Sequence, residues 1–368
     1  MAMDIFPEMA QRGFEGGLHY YTNSQVGLRC IIAIHHTRPS RYGSALGGVR
    51  MCVYRSQQEA EYDVLRLARG MTLKNLVAGI DVGGGKAVIL LNQPLKGAEG
   101  ARKKERILRA FGENVERLHG EYITAPDAGT NSSDMKIIGE TTGFVVGLVD
   151  PSPRTATGVY TAMKVGAEHL WRTDSLKGKR VLIQGAGKTG KILAALLAEE
   201  EAQLIISDVD IPEMDAVCKR YDALHCLPED VFNMDADIFA PCALGGIVND
   251  NTIHHIIAHF AMVCGSANNQ LGISKTHGRQ LKEGGVLYLP DFVVNSGGVI
   301  ASYCELTHGV DWIYEHADDI DARVQSQVAG QVMTILRKSS GEKFLATSEI
   351  AEKIALEILS YEENGAHE

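Results

Sequence analysis

The sequence predicts an α/β protein with two domains, the second of which is a doubly wound parallel sheet. Three observations support this prediction. The chain has 368 residues, which is long for one domain and comfortable for two. After a turn-forming stretch, Asp150–Pro153, short apolar runs alternate with helical patterns, which is typical of βαβ units. A glycine-rich turn at 185–190 joins one of these runs directly to a helical segment.

The first domain is expected over residues 1–148 and contains strands and two long helices. Apolar residues recur at helical spacing over 57–74, and 102–118 predicts a second helix whose basic cluster forms a solvated face. Three short apolar runs predict strands, at 29–35, 87–91 and 122–124.

The second domain is expected over residues 149–320, and a C-terminal segment over 321–368. The C-terminal segment carries two amphipathic helices, one with Val324 and Val328 and the other with Ile350 and Ile354 on its apolar face. Because these helices have no strand partners, we expect them to pack on the first domain or to form a subunit contact. Five apolar runs predict the parallel strands, at 180–184, 204–207, 238–240, 262–264 and 286–288.

Composition and charge exclude several classes of protein. The net charge of −10 argues against a nucleic-acid or anionic-membrane binder, which would present a basic face. Seven scattered cysteines without a Cys-x-x-Cys pair predict neither disulfides nor a structural metal site, and they favour a reducing compartment. The N-terminus lacks the features of a signal peptide, and no apolar run approaches the ~20 residues of a membrane span. We therefore expect a cytoplasmic protein without a metal.

The glycine-rich turn has the sequence and context of a dinucleotide-binding loop. A lone G-x-G-x-x-G is weak evidence, but here the motif follows a predicted strand, opens a helix and precedes Asp208 by about twenty residues. The helix N-terminus supplies amides for the phosphates, and Asp208 would bind the ribose and repel the extra phosphate of NADP. The sequence thus predicts NAD, and a purely structural turn is the alternative. The loop residues are Gly185, Ala186, Gly187, Lys188, Thr189 and Gly190.

Three residues of the first domain are candidates for the chemistry. Lys86 follows three glycines and precedes an apolar strand, which suggests a loop shaped for close approach of a ligand. Burial and a neighbouring cation would lower the pKa of such a lysine towards neutrality. Lys74 ends a helical segment, and Asp127 lies on a turn after a short strand. Any single lysine is more often a surface residue, so the residues alone leave this assignment open.

The ordered motifs resemble the glutamate/leucine/phenylalanine/valine dehydrogenases, and within them the leucine dehydrogenase-like branch. The similarity extends over nearly the whole chain, which makes it highly specific. Its motifs are LGGVRM at 46–51, RGMTLK at 69–74, GGGK at 83–86, PDAGT at 126–130, PSP at 151–153, TA at 155–156, GAGKTG at 185–190, APCALG at 240–245, SANN at 266–269 and PDFVVNSGG at 290–298.

The resemblance implies reversible, NAD-dependent oxidative deamination of an L-amino acid, with the active site in a cleft between the two domains. Lys74 resembles the lysine that binds the substrate carboxylate, helped by the backbone of Gly47 and Gly48. Lys86 resembles the catalytic lysine that activates water, and Asp127 the group that carries a proton to and from the amino nitrogen. The residues that resemble the lining of the nicotinamide end are Thr155, Cys242, Ala243, Asn268 and Asn295.

The predicted side-chain pocket is mixed in character. Leu46 stands where glutamate-specific relatives carry a lysine, and an apolar residue cannot compensate a buried carboxylate. Ala125 and Val299 resemble the remaining apolar wall. Ser302 replaces a valine of leucine dehydrogenases; it either contacts substrate or bonds back to a helix carbonyl. Branched-chain and larger apolar amino acids are therefore expected, with phenylalanine or tryptophan as the alternative.

Two departures from the family pattern and one further alternative complete the expectation. Pro126 replaces the acidic residue usual before the catalytic aspartate, and the stretch at 147–150 is shorter than in leucine dehydrogenases. A non-catalytic NAD-binding regulator would require the chemical groups to have been lost, yet Lys74, Lys86 and Asp127 are all present. The resemblance also implies a homo-oligomer that acts on small molecules.

Overall fold

The computed structural model describes residues 5–38, 43–243 and 245–365, and these form two compact units. The first unit contains the described residues up to Asp150, together with Ser302–Glu315 and the chain from Ile358 onward. The second unit contains Pro151–Ala301 and His316–Glu357.

The first unit is a mixed sheet covered by helices. Its strands are β1 (Leu18–Asn23), β2 (Leu28–His36), β3 (Ala45–Val53), β4 (Gly83–Leu91) and β5 (Tyr122–Pro126), in the order β1-β2-β4-β3-β5. Strand β3 is parallel to β4 and β5, whereas β2 is antiparallel to β1 and β4. The helices that precede or connect these strands are α1 (Ile5–Gln11), α2 (Gln57–Val77), α3 (Gly97–Glu116) and α4 (Ser132–Gly139).

Alternation along the strands divides the core of this unit into two layers. One layer joins Ile32, Val49 and Ile89 of the sheet to residues of α3 and α4 such as Phe111. The other joins Ala33 and Val88 to the apolar face of α2, whose members include Val64 and Ala68. Because successive residues point to opposite faces, Lys86 lies on the α2 side of β4, between Gly85 and Ala87.

The three glycines before Lys86 lie inside β4, which corrects the expectation of a ligand-shaped loop. A Cβ atom at Gly84 would lie 2.0 Å from the backbone nitrogen of Thr72 in α2, and one at Gly83 would lie 1.9 Å from the carbonyl oxygen of His36. Glycine is therefore required because α2 and β2 approach β4 closely, so that α2 packs directly on the strand carrying Lys86.

The second unit is a parallel sheet, as the sequence predicts. Its strands are β6 (Arg180–Gln184), β7 (Gln203–Ser207), β8 (Leu224–His225), β9 (Ile238–Pro241), β10 (Met262–Val263) and β11 (Leu287–Tyr288). In the order β11-β10-β9-β6-β7-β8, all paired strands are parallel. Strands β7 and β8 follow on one side of β6, and β9 to β11 follow on the other side, which is the arrangement of a Rossmann-type, doubly wound sheet. The α/β fold class is confirmed.

The helices from Ser152 onward connect these strands and close the chain. In addition to a 3₁₀ turn at Pro228–Asn233, they are α5 (Ser152–Trp171), α6 (Lys188–Glu199), α7 (Ile211–Tyr221), α8 (Ile253–His259), α9 (Ser274–Glu283), α10 (Asp291–Val294), α11 (Gly297–His308), α12 (Val310–Glu315), α13 (Ala317–Ser340) and α14 (Thr347–Gly365). In the part of the chain that the structure describes, no helix is long and apolar enough to span a bilayer.

The C-terminal helices do not form the separate segment expected at 321–368: the chain through Glu357 belongs to the second unit, and the end of α14 from Ile358 belongs to the first. Helix α13 packs on α5 within the second unit, where Val328 lies beside the notch left by Gly158. The start of α14 is bound to the same unit, because the Thr347 hydroxyl donates to the carbonyl of Tyr288, 2.5 Å away. Helical spacing identifies an apolar stripe but not the surface that receives it, so the sequence could not give this partner.

Candidate active site

A buried lysine and a nearly buried carboxylate form the centre of the candidate site in the first unit. Lys86 Nζ lies 3.1 Å from Asp127 Oδ1, and the side chain of Lys86 is only 4% exposed. The other oxygen of Asp127, Oδ2, accepts a hydrogen bond from Arg50 Nε at 2.8 Å. The structure therefore brings the two predicted catalytic residues into direct contact and adds Arg50 to them.

Burial and charge displace the pKa values of this pair in a defined way. Burial lowers the pKa of the Lys86 ammonium, and the charge of Arg50 lowers it further, while Asp127 opposes both. Burial alone would raise the pKa of Asp127, but the charges of Lys86 and Arg50 outweigh it and hold this pKa below its usual range. Asp127 is thus a carboxylate at neutral pH, and Lys86 loses its proton more readily than a solvent-exposed lysine.

A short turn after β5 fixes the position of Asp127. Its backbone N–H donates to Thr130 Oγ1 at 2.9 Å, and the Thr130 hydroxyl donates to the carbonyl of Val49 at 2.9 Å. Gly129 has φ +82°, and a Cβ atom there would lie 2.0 Å from the Met51 carbonyl oxygen. The PDAGT motif therefore attaches the turn that carries Asp127 to β3.

The residues predicted to bind the substrate carboxylate lie on β3 and at the end of α2, the two elements that flank the strand carrying Lys86. A Cβ atom at Gly47 would lie 1.8 Å from the Gly85 carbonyl oxygen, so β3 passes β4 very closely here. Lys74 is buried in the last turn of α2. The next residue, Asn75, donates through Nδ2 to the carbonyls of Leu46 (3.2 Å) and Gly83 (2.7 Å), which joins this turn to both strands.

The predicted side-chain pocket residues come from β3, β5 and α11. Leu46 is fully buried in β3, and the neighbouring Gly48 pairs with Ala125 of β5. Val299 and Ser302 both lie in α11, with Val299 assigned to the second unit and Ser302 to the first. Ser302 is 5% exposed, and its hydroxyl makes no hydrogen bond within residues 5–38, 43–243 and 245–365. The alternative of a bond back to a helix carbonyl therefore finds no support.

In the second unit, the glycine-rich loop has the form that a dinucleotide requires. Gly185 has φ +113°, and a Cβ atom at Gly190 would lie 1.9 Å from the Gly185 carbonyl oxygen, so α6 packs tightly on the turn. Gly187 instead faces open space and begins α6 without a side-chain cap, which leaves the first amides available to phosphate. Lys188 and Thr189 form the first turn of α6.

Of the other predicted cofactor residues, Asp208, Cys242 and Ala243 lie against this loop, whereas Thr155 lies at the start of α5. The carboxylate of Asp208 accepts from the backbone N–H of Ala186 at 2.5 Å, which places it beside the loop. A Cβ atom at Gly185 would contact the backbone of Cys242 and Ala243, so the segment after β9 lies against the turn. The Thr155 hydroxyl donates to the Pro151 carbonyl at 3.1 Å, inside α5.

The buried side-chain amide of Asn295 favours the binding of a ligand in the second unit. Asn295 donates through Nδ2 to the Ser266 carbonyl at 3.0 Å and to Asn268 Oδ1 at 2.9 Å. Its Oδ1 atom is buried and has no hydrogen-bond partner among the described residues. An unpaired buried oxygen costs free energy, so a donor such as a carboxamide N–H of a nicotinamide fits here. Together with the open space at Gly187, these residues fit a nicotinamide dinucleotide.

The comparisons with known proteins cover both units. Residues 18–143 match the family model "Glu/Leu/Phe/Val dehydrogenase, dimerisation domain", and residues 211–357 match "Glutamate/Leucine/Phenylalanine/Valine dehydrogenase". The chain belongs to this dehydrogenase family. The resemblance found in its motifs is confirmed, and the protein is an oxidoreductase of the Glu/Leu/Phe/Val dehydrogenase family.

Relatives within the family carry different substrate names. A leucine dehydrogenase of Bacillus subtilis is 39% identical over 95% of this chain and 94% of its own, and one of Geobacillus stearothermophilus is 44% identical over 81% and 80%. The crystal structure of L-tryptophan dehydrogenase from Nostoc punctiforme has a TM-score of 0.77 and 33% identity, and the match covers 98% of this chain and 99% of that one.

Arg50 is a site residue of this dehydrogenase that sequence reasoning did not single out. It stands within the quoted motif LGGVRM, but its partner Asp127 lies 77 residues further along the chain. The signal that could have revealed it is an arginine between the apolar residues Val49 and Met51 of this motif, because buried charges in proteins are almost always paired.

Proposed function

We propose that this dehydrogenase catalyses the reversible, NAD-dependent oxidative deamination of an apolar L-amino acid of the leucine, isoleucine or valine type to the 2-oxo acid and ammonia. The contact between Lys86 and Asp127 carries the proposal, because it places an amine and a carboxylate side by side away from bulk water. The named activities of its relatives support the same reaction.

Each residue then has a role that follows from its chemistry. Lys74, with the backbone of Gly47 and Gly48, binds the substrate carboxylate. Lys86 in its unprotonated form takes a proton from water, which attacks the imino carbon, and as an ammonium it stabilises the oxygen charge that develops. Asp127, a carboxylate at rest, accepts a proton from the amino nitrogen and returns it to the leaving ammonia.

When bound, the dinucleotide accepts or supplies the hydride at the substrate Cα. Gly185, Gly187 and Gly190 would hold its pyrophosphate at the start of α6, and Asn295 would accept a hydrogen bond through its unpaired Oδ1. The family as a whole uses NAD or NADP, and we assign NAD because Asp208 places a negative charge beside the loop, where the phosphate of NADP would lie.

Replacing Asp208 with alanine is expected to reduce the preference for NAD over NADP by at least about tenfold, since the variant loses both a ribose partner and a repelling charge. The measurement is kcat/KM for each cofactor at saturating amino acid, with Asp215→Ala on the solvent side of α7 as a control. A wild-type enzyme that already prefers NADP would contradict the role assigned to Asp208.

A second candidate is an aromatic L-amino-acid dehydrogenase, and Ser302 favours it. The buried serine leaves more space than the valine of leucine dehydrogenases, and its hydroxyl has no hydrogen-bond partner in the described chain. A relative with this overall fold is named for tryptophan. The wall formed by Leu46 remains apolar, so glutamate is expected to be a poor substrate of either enzyme.

A panel of L-amino acids with NAD, followed by NADH absorbance at alkaline pH, tests the proposal and separates the two candidates. We expect leucine, isoleucine and valine to give the highest kcat/KM. In Ser302→Val, we expect the kcat/KM ratio for leucine over phenylalanine or tryptophan to rise by about tenfold, because two methyl groups replace one hydroxyl and reduce the space in the pocket.

Three results of this panel would overturn parts of the proposal. Preference of the wild type for phenylalanine or tryptophan would select the second candidate. Preference for glutamate would show that Leu46 does not line the side-chain pocket, and an unchanged substrate profile in Ser302→Val would show the same for Ser302. If no amino acid gave NADH, the remaining alternative would be a protein that binds the dinucleotide without catalysing a reaction.

We also propose that the protein is a cytoplasmic homo-oligomer. Residues 18–143 match a domain described as a dimerisation domain, which supports self-association through the first unit. The seven cysteines are all free thiols in the structure, and free thiols are typical of a reducing compartment.

A further inference from the structure

We propose that Arg50 is a positioning residue of the active site: it joins Asp127 to Asp63 of α2 and balances the charge around the Lys86–Asp127 pair. The inference rests on the proposed function, because it assigns Lys86 and Asp127 to the chemical step. No role in substrate or cofactor contact is assigned to Arg50 itself.

The guanidinium of Arg50 donates hydrogen bonds to two carboxylates at once. Its Nε donates to Asp127 Oδ2 at 2.8 Å, and its Nη1 donates to Asp63 Oδ2 at 2.9 Å. Lys86 occupies the remaining oxygen of Asp127 at 3.1 Å. The Asp127 carboxylate is thus held from both sides, and its rotation would break one contact. A planar fork of this kind orients a carboxylate better than a lysine could.

Asp63 is itself held in place. The hydroxyl of Tyr54 donates to its Oδ2 at 2.9 Å, and Arg66 Nη2 lies 3.6 Å from its Oδ1. Its side chain is 15% exposed, close to the 11% of Asp127. Asp63 also lies on α2, the helix whose last turn carries Lys74, the residue proposed to bind the substrate carboxylate. Arg50 therefore links the helix that carries Lys74 to the turn that carries Asp127.

The same contacts make the arrangement electrically balanced. Lys86 and Arg50 contribute two positive charges, and Asp127 and Asp63 contribute two negative charges. Without Asp63, the buried surroundings of Lys86 would contain an excess positive charge, which is unfavourable away from water. Among the described residues, the other ionisable groups that interact with this cluster include Cys52 of β3, Tyr54 just after β3, Arg66 of α2 and Tyr122 of β5.

The two outer members of the cluster act on Lys86 in opposite directions. The charge of Arg50 lowers the pKa of Lys86, and the charge of Asp63 raises it. In amino-acid oxidation Lys86 must be unprotonated, so kcat/KM rises with pH as Lys86 loses its proton. Removing the Arg50 charge should move this rise to higher pH, and removing the Asp63 charge should move it to lower pH.

The test is the pH dependence of kcat/KM for the best amino acid of the panel, in the wild type, Arg50→Gln and Asp63→Asn. We expect shifts of about one pH unit, upward in Arg50→Gln and downward in Asp63→Asn. The substrate amine titrates equally in all three proteins, so the differences belong to the enzyme. Thermal unfolding and NADH titration show whether each variant is folded. If Arg50→Gln does not fold, Asp63→Asn still tests the inference, because asparagine has the same shape as aspartate.

Arg50→Lys is the matched variant for positioning. It keeps the positive charge but cannot contact both carboxylates as a fork. The rise of kcat/KM with pH should therefore occur near the wild-type pH, while kcat falls at least about tenfold. A purely structural role would lower the activity of all variants without shifting their profiles in opposite directions.

The outcomes separate this inference from the proposed function. A wild type that oxidises amino acids, with profiles that do not shift or that shift in the same direction in Arg50→Gln and Asp63→Asn, overturns the inference alone. A wild type that forms no NADH with any amino acid overturns the proposed function, and the inference with it.

Discussion

Replacing Lys86 with alanine is expected to lower kcat for amino-acid oxidation by at least about a hundredfold, the usual scale for losing a positioned acid–base group. The Lys86 amine lies 3.1 Å from Asp127 and is buried, so no solvent-exposed lysine can take its place. Binding of NADH should stay within about twofold, because the glycine-rich loop belongs to the second unit. Single-turnover NADH formation and an NADH titration measure the two effects.

The variant should fold, which makes the result interpretable. Asp127 keeps its hydrogen bond from Arg50 at 2.8 Å, so the substitution leaves no unpaired carboxylate. Lys104→Ala is a suitable control, since Lys104 also forms an ion pair with an aspartate of the first unit, Asp134, but at a more exposed position. Its kcat should equal that of the wild type. A near-normal kcat in Lys86→Ala would exclude Lys86 as the catalytic base.

The sequence predicted the second unit more completely than the first. In a parallel doubly wound sheet, each strand and its crossover helix are consecutive in the chain, so local patterns are sufficient. The strand β6, the loop from Gly185 and the helix α6 all follow this rule. The predicted role of the loop came from the same local context.

The first unit contains elements whose form depends on distant neighbours. Strand β3 was not predicted, because Gly47 and Gly48 lower strand propensity, yet β3 lies between β4 and β5. The glycines of β4 were interpreted as a loop for the same reason. In both strands glycine is required by the close passage of a neighbouring backbone, such as the Gly85 carbonyl that faces Gly47. Such a passage is a property of the folded chain and cannot be deduced from local composition.

The candidate site shows the same division between local and distant information. Lys86 and Asp127 stand in recognisable motifs, so the sequence could nominate them. Their mutual contact, and the bridge that Arg50 forms to Asp63, join residues on separate strands and a helix. The spacing of these residues along the chain does not predict their contacts, which depend on the arrangement of β3, β4 and α2 in the folded protein.

Two glycines of the cofactor loop should respond differently to alanine, and the difference tests the dinucleotide site. A Cβ atom at Gly187 meets nothing within 4 Å, and its φ of −70° suits any residue. Gly187→Ala should therefore change the free energy of unfolding by less than about 0.5 kcal/mol. Its affinity for NADH should nevertheless fall at least about tenfold, because the added methyl group occupies the space through which the pyrophosphate approaches.

Gly190→Ala should lose both stability and affinity. Its Cβ atom would lie 1.9 Å from the backbone oxygen of Gly185, so the turn must shift, at a cost of about 1–3 kcal/mol. Thermal unfolding without cofactor and NADH titration by fluorescence measure the two quantities. Gly330→Ala is the control: it lies in α13 of the same unit with open space around it, and should leave NADH affinity unchanged. If Gly187→Ala binds NADH as tightly as the wild type, the pyrophosphate does not lie against this loop, and the assignment of Gly185, Gly187 and Gly190 to the cofactor is wrong.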